Sequence, residues 1–386
     1  MKKRPRQPVQ PASTDLVREL NRRTVLNLVR TRQPLSRADL ARATGLQRST
    51  ISSIVAELIE EEWILEGPSA RRERGRRPTF LRMNDGRVII GVDIRPSQIT
   101  VALADVNGNF TSQEVIPTPA RPQEAIDELV QRIQRLQASS LDKKIEGIGV
   151  NIPGRVEPGT AKLIFAPNLN WPPTDLRTPL MEATGLDVEL ENAANACVLS
   201  AAWFERMDVQ HLVAVTVSEG IGTAILLNGR LARGKSGMAG EFGHVPLDPQ
   251  GPLCGCGSHG CWEVFASNRA ALRYYDEGQQ GIDGLYYPDL LSLAGQGDAR
   301  AIRALEMQAR YLGRGMRMIV AGLDPELILV VGELTRSWDL FGPVIEAEIR
   351  SQVLPGAMCP EIKALREGNL ARLRGTVAAI LQKHFQ

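Results

Sequence analysis

The sequence predicts an α/β protein in two parts, a basic helical head over residues 15–82 and an α/β body of two lobes over 83–386. Three observations predict it. Charge is divided unevenly: residues 1–82 hold 18 Lys and Arg against 9 Asp and Glu, a net of +9, which leaves −7 for the remainder. Apolar residues recur at helical spacing up to about Glu62, then alternate between short apolar runs and amphipathic stretches from Arg87 onward. In that second part a pattern of strand, turn, strand, then helix and strand, occurs twice.

A chain of 386 residues and 42.3 kDa exceeds one typical hydrophobic core, so two or three domains are expected. Its 43% hydrophobic and 23% charged residues are those of an ordinary soluble protein, and apolar runs such as Leu327–Val331 are too short to cross a bilayer. The start, Met1-Lys2-Lys3-Arg4, is basic but is followed by Gln7, Pro8, Gln10 and Pro11 instead of an apolar core. That argues against a secretory signal, and a cytoplasmic location is expected. Residues 1–14 read as a disordered tail.

In the head, Asp15 caps a helix with apolar positions Leu16, Leu20, Val25, Leu28 and Val29. Ser36 stands three residues before Asp39 at the start of a short second helix, which Gly45 ends where a positive φ is wanted. A third helix, about Arg48 to Glu62, buries Ile51, Ile54, Val55, Leu58 and Ile59. Its first turns carry Gln47, Arg48, Ser49, Thr50, Ser52 and Ser53, small donors and a guanidinium suited to phosphates and base edges in a major groove. Strands Trp63–Gly67 and Thr79–Met83 then flank Arg71-Arg72-Glu73-Arg74-Gly75-Arg76-Arg77-Pro78, an arginine-rich wing slim enough for a narrow minor groove. The whole is a winged helix-turn-helix for double-stranded operator DNA, with Arg37, Gln47, Arg48, Ser49, Thr50, Ser52, Arg71, Arg74, Arg76 and Arg77 as the contacting residues.

In the body, Val88–Ile94 and Ile99–Asp105 are apolar strands joined by a tight loop, Gln123–Ser139 is an amphipathic helix, and Ile145–Val150 is a strand. The arrangement restarts at Leu212–Val217 and Thr223–Leu227. The boundaries expected are 83–200 for the first lobe, with a C-terminal helix at about 370–386 returning to it, and 201–369 for the second, which carries the dimerisation surface.

Three of the five cysteines, Cys254, Cys256 and Cys261, fall within eight residues, with glycines at 255, 257 and 260 that permit a sharp wrap. Thiolates at that spacing, with His244 or His259 as fourth ligand, form a closed Cys3His set for structural zinc, with no open position for a catalytic water. Cys197 and Cys359 read as buried, small apolar residues.

Asn21-Arg22-Arg23 with the helix-turn-helix, Gly75-Arg76-Arg77-Pro78, Gly240-Glu241-Phe242-Gly243-His244 and Cys254-Gly255-Cys256-Gly257-Ser258-His259-Gly260-Cys261-Trp262-Glu263 resemble the ROK family of repressors, open reading frames and kinases. The resemblance spans residues 15–386 and implies a two-lobed, actin-like (ribonuclease H-like, sugar kinase) body, with His244 as the fourth metal ligand. It also implies a sugar site of Gly154, Arg155, Asn168, Asn192, Glu241, His244 and Glu263. Loop-borne carboxylates, amides and an imidazole read hydroxyls, and penalise ligands lacking them by leaving buried polar groups unpaired.

Kinases of the family carry an aspartate base where this chain has Ala193. Their Asp-x-Gly-Gly-Thr phosphate loop is replaced by Asp93-Ile94-Arg95-Pro96-Ser97, and their Gly-Thr-Gly by Ser218-Glu219-Gly220, which sets a carboxylate where phosphate would lie. Val330-Val331-Gly332-Glu333-Leu334 also lacks the triple glycine for adenosine. The expectation is therefore a sugar-responsive repressor of carbohydrate genes, kinase-inactive, acting as a homodimer or tetramer on a palindromic operator. A residual sugar kinase, or a repressor controlled by a sugar phosphate or a protein partner, is the alternative.

Overall fold

The computed structural model describes residues 14–69, 79–166, 168–205, 209–276, 284–351, 356, 358–365 and 367–385. Helices α1 (Thr14–Arg32), α2 (Arg37–Thr44) and α3 (Arg48–Glu60) and strands β1 (Leu35–Ser36), β2 (Ile64–Ser69) and β3 (Thr79–Met83) make the head. The strands form a small antiparallel sheet in the order β1-β3-β2. Ser36 and Asp39 form the expected capping box, and Gly45 ends α2 at φ 72°.

Two expectations in the head are corrected. Leu16 and Leu20 are exposed, because only the later turns of α1, through Val25, Leu26 and Val29, reach the core. The first turns instead meet α3 through charge, Arg18 with Glu57 and Arg22 with Glu61. The third helix stops at Glu60, since Glu62 takes φ 64° and turns the chain into β2; Ile59 at that end is only half-buried.

The first lobe contains β4 (Arg87–Ile94), β5 (Gln98–Asp105), β6 (Phe110–Pro117), α4 (Pro122–Ser139), β7 (Lys144–Ile152), the short pair β8 (Arg155–Val156) and β9 (Leu163–Phe165), α5 (Arg177–Thr184), β10 (Val188–Asn192) and α6 (Ala193–Phe204). Its sheet runs β10-β7-β4-β5-β6, with β10, β7 and β4 parallel and the two hairpin strands antiparallel. The second lobe contains β11 (Leu212–Val217), β12 (Ile221–Leu227), β13 (Arg230–Leu231), α7 (Trp262–Ala266), α8 (Asn268–Asp276), α9 (Tyr287–Gly295), α10 (Ala299–Leu323), β14 (Leu327–Gly332), α11 (Trp338–Arg350) and β15 (Glu361–Leu365), after which α12 (Gly368–Phe385) returns to the first lobe. Its sheet, β13-β12-β11-β14-β15, repeats the first in direction and connection. The pattern read twice in the sequence is thus one topology built twice.

α6 and α12 pack on each other between the sheets, so closely that a Cβ at Gly375 would overlap the carbonyl of Ala196. α6 touches both sheets, while α12 lies across β4, β7 and β10. The head does not stand apart: Val25, Ile51, Leu58, Trp63 and Ile64 share one buried cluster with Ile89, Leu199, Trp203, Ile380 and Phe385. Cys197 is fully buried, whereas Cys359 is only half-buried against the second lobe's core. Among the described residues no helix is long and apolar enough to cross a membrane.

Candidate functional site

A single 3-10 turn, Phe242–His244, and the wrap from Leu247 to Cys261 build the metal cluster. Gly257 and Gly260 adopt φ of 89° and 63°, and a side chain at Gly260 would collide with the carbonyl of Asp248. The wrap is closed by Cys254 N donating to Ser258 O at 2.7 Å and by Gly257 N donating to Cys254 O at 2.9 Å. Ligand atoms of His244, Cys254, Cys256 and Cys261 all lie within 4.8 Å of one another. Cys256 and Cys261 sulfurs are 3.7 Å apart, and His244 Nδ1 is 3.6 Å from Cys254 Sγ. A tetrahedral ion with metal–sulfur bonds of about 2.3 Å requires edges of about 3.8 Å. These four residues therefore fit a metal ion. His259 does not join them: its Nδ1 lies 3.2 Å from the carbonyl of Gly251, and its ring is exposed. Burial pushes the Cys254 thiol up to about 12, so taking a cation would displace its proton.

Against this cluster stand the carboxylates. His244 Nε2, the nitrogen turned away from the sulfurs, is 3.8 Å from Glu241 Oε2. Glu263 accepts from Ile221 N at 3.0 Å, and its other oxygen is 3.7 Å from Cys254 Sγ. Burial raises the Glu241 carboxyl above its ordinary range, against the pull of His244 and Arg155, with Glu263 adding to the rise. Arg155 donates to Ser236 O at 3.3 Å, and its buried Nε has no partner among the described residues. Gly154 takes φ 108° where a Cβ would overlap the carbonyl of Phe165, so that turn accepts no side chain. Arg155, Glu241, His244 and Glu263 thus form one polar group.

Asn192 caps α6, its Oδ1 accepting from Asn195 N at 2.7 Å, so part of its hydrogen-bonding capacity is structural. Asn168 lines a cleft of about 560 Å³ between the lobes, with Pro153, Ala193, Ser218, Glu219 and Glu333 in its walls. At the cleft floor Asp93 is fully buried, bonded by Asn151 Nδ2 and Arg95 Nε, with Arg372 Nε 3.6 Å away. Arg95 thus bends back onto Asp93 instead of opening a phosphate cradle. Burial also holds the Glu333 carboxyl above its usual range, with Glu219 adding to the shift.

The DNA-side residues present a simple picture. Gln47, Arg48, Ser49 and Ser52 are exposed at the start of α3 and Thr50 is half-exposed. Gln47 stands at the N-cap without a side-chain cap bond, leaving its amide available. Arg37 is paired with Glu66 of β2. The wing arginines Arg71, Arg74, Arg76 and Arg77 lie outside the described residues. Residues that sequence reasoning missed are Arg372, Asn151 and Arg87; an arginine opening the apolar run Arg87–Ile94 was the one available signal.

A helix-turn-helix with its own small sheet, set on two lobes of duplicate topology beside a cysteine–histidine loop, is the build of a DNA-binding regulator on a sugar-kinase frame. The sequence model of the ROK family matches residues 89–383, and that of the IclR helix-turn-helix domain matches residues 24–66. The chain belongs to the ROK family. A xylose repressor of Bacillus spizizenii is 31% identical over 351 residues, covering 89% of this chain and 90% of its own length. A glucokinase of Streptomyces coelicolor is 31% identical over 308 residues, covering 74% of this chain and 95% of its own. The crystal structure of a ROK family transcriptional regulator, a homolog of the Escherichia coli MLC protein, superposes with a TM-score of 0.78 at 25% identity, covering 96% of this chain and 99% of that one.

Proposed function

We propose that this chain is a cytoplasmic, sugar-responsive repressor of carbohydrate uptake or catabolism genes, without kinase activity. The observation that carries the reading is the union, in one chain, of the helix-turn-helix head with the polar group of Arg155, Glu241, His244 and Glu263. The division assigned is a DNA reader over 15–82, a first lobe over 83–200 completed by the C-terminal helix, and a second lobe over 201–369 that dimerises.

Two heads of a homodimer, or of a tetramer, read the half-sites of a palindromic operator. Gln47, Arg48, Ser49, Thr50 and Ser52 enter the major groove, Arg37 exchanges Glu66 for phosphate, and Arg71, Arg74, Arg76 and Arg77 follow the minor groove. Gly154, Arg155, Asn168, Asn192, Glu241, His244 and Glu263 hold the sugar, and the unpartnered Nε of Arg155 supports a ligand there. His244, Cys254, Cys256 and Cys261 hold zinc, which supplies a structural crosslink that fixes His244 by one nitrogen and leaves the other for the sugar.

Ala193 in the cleft wall supports the absence of phosphoryl transfer, because a methyl group accepts no proton from a sugar hydroxyl. Arg95 turned onto Asp93, and Glu219 facing the cleft, support it further. The test is a thermal-shift panel of D-xylose, D-glucose, N-acetylglucosamine, their phosphates and ATP on the zinc-loaded chain, followed by gel shifts on promoter DNA. A sugar that raises the melting temperature and alters the gel shift, with no response to ATP, is expected. Stabilisation by ATP alone would overturn the reading.

A further inference from the structure

Three elements of the first lobe run from the cleft to the head, and their side chains meet one another at both ends. β4 carries Arg87 at the head and Asp93 at the cleft, β7 carries Glu146 and Asn151, and α12 carries His384 and Arg372. At the cleft, Asn151 and Arg372 both approach Asp93. At the head, Arg87 pairs with Glu146, and His384 Nε2 lies 3.7 Å from the other oxygen of Glu146. Six strand steps, five strand steps and twelve helical steps span about 20, 17 and 18 Å. The three struts match in length.

Their middles are in direct contact. A Cβ at Gly91 of β4 would stand 2.6 Å from Thr376 Oγ1, and one at Gly149 of β7 would overlap the Thr376 carbonyl. Because both strands present glycine here, α12 rests directly on them, through the Thr376 hydroxyl on β4 and the Thr376 carbonyl on β7, and close-packed interiors pass on a displacement in preference to absorbing it.

At the head end, the grip is on the turn that directly follows α3. Arg87 donates from Nε to Glu62 O at 3.0 Å and from a second nitrogen to Glu61 O, the carbonyls just beyond the helix. Its guanidinium lies 3.9 Å over the Trp63 ring, and Asn84 Nδ2 also donates to Glu62 O, at 2.8 Å.

We propose that Arg87 is a positioning residue that sets the angle of α3 according to the state of the cleft, with β4, β7 and α12 as the lever between them. The inference rests on α3 being the DNA-reading helix, but the lever requires neither a particular sugar nor a particular operator. Hydrogen exchange on the full zinc-loaded chain, without DNA or sugar, tests it. Arg372→Ala, at the cleft, is expected to speed exchange of amides 57–66 by at least about threefold while residues 212–227 keep their rates. In an Arg87→Gln background the same substitution adds nothing further, the non-additivity of residues in one network. Arg372→Lys, which keeps the charge, serves if the alanine variant does not fold, with the same direction expected. Unchanged exchange at 57–66, independent addition of the two substitutions, or a uniform rise that includes 212–227 would each overturn the lever. Failure of the unaltered chain to bind DNA would instead sink the repressor reading and leave the exchange result standing.

Discussion

Replacing Trp63 with alanine should uncouple the head from the body without unfolding the body. Trp63 is 4% exposed and lies where α3, β4 and α12 converge, its ring 4.8 Å from that of His384, 5.6 Å from Phe385 and under the Arg87 guanidinium. Burying an aromatic ring removes about 150–250 Å² from water. At about 25 cal/mol/Å² that gives about 4–6 kcal/mol, an upper bound beside the ~3–5 kcal/mol found for aromatic-to-alanine changes in cores. A loss of about 4 kcal/mol from the junction raises the undocked fraction roughly a thousandfold. Differential scanning calorimetry should then resolve a separate, earlier head transition that the unaltered chain lacks, while Trp63→Phe, which keeps a ring, should largely preserve the single transition. One cooperative transition within about 2 °C of the unaltered chain would refute the claim that the head shares the body's core.

One zinc ion per zinc-loaded chain is expected by atomic emission, and Cys261→Ser should reduce it to near none and abolish sugar-induced stabilisation, because His244 belongs to both groups. Retained zinc would count against the ligand set. Acidification should loosen the junction: burial holds the His384 imidazole below its usual value, with Arg87, Lys383 and Arg22 adding to the depression and Glu146 opposing it. A depressed value in the folded state means that its contribution is complete above about pH 6.5 and is lost as pH falls through the folded-state value. Head amides should therefore exchange faster, relative to the body, as pH drops below that point, after correction for intrinsic rates, and His384→Asn should flatten the trend. Arg48→Ala and Arg76→Ala should each weaken DNA binding and reduce the salt slope by about one, read by fluorescence anisotropy; an unchanged slope removes that residue from the phosphate contacts.

Local chemistry made much of this molecule legible in sequence. The box of Ser36 and Asp39, the left-handed Gly45 and the strands Thr79–Met83 and Leu212–Val217 follow from short-range rules, and the structure places them where those rules do. The cluster that could hold a metal was legible because three cysteines share one wrap, and in the structure His244, not His259, lies within reach of them. What the sequence hid lies in pairs far apart along the chain. Arg95 reads as a lost glycine, yet it is a counterion to Asp93 shared with Arg372. Asn192 reads as a sugar ligand, and its second role, capping α6 by accepting from Asn195 N, is one the sequence does not announce. Nor do Arg87 and Trp63 announce their stacking, since no periodicity records a contact that only the docking of head on body creates. Leu16 and Leu20 follow helical spacing but remain exposed, because periodicity gives a face and not what covers it.

The most direct measurement of the central claim is the affinity of the full zinc-loaded chain for a labelled palindromic duplex from its own promoter region, titrated with and without the sugar that stabilises it most. Tight binding that falls with salt is expected, shifting with the sugar by about five- to 150-fold, the range of ordinary allosteric coupling. Equal affinity with and without every stabilising sugar, or no binding to the promoter duplex beyond that to an unrelated one, would contradict it.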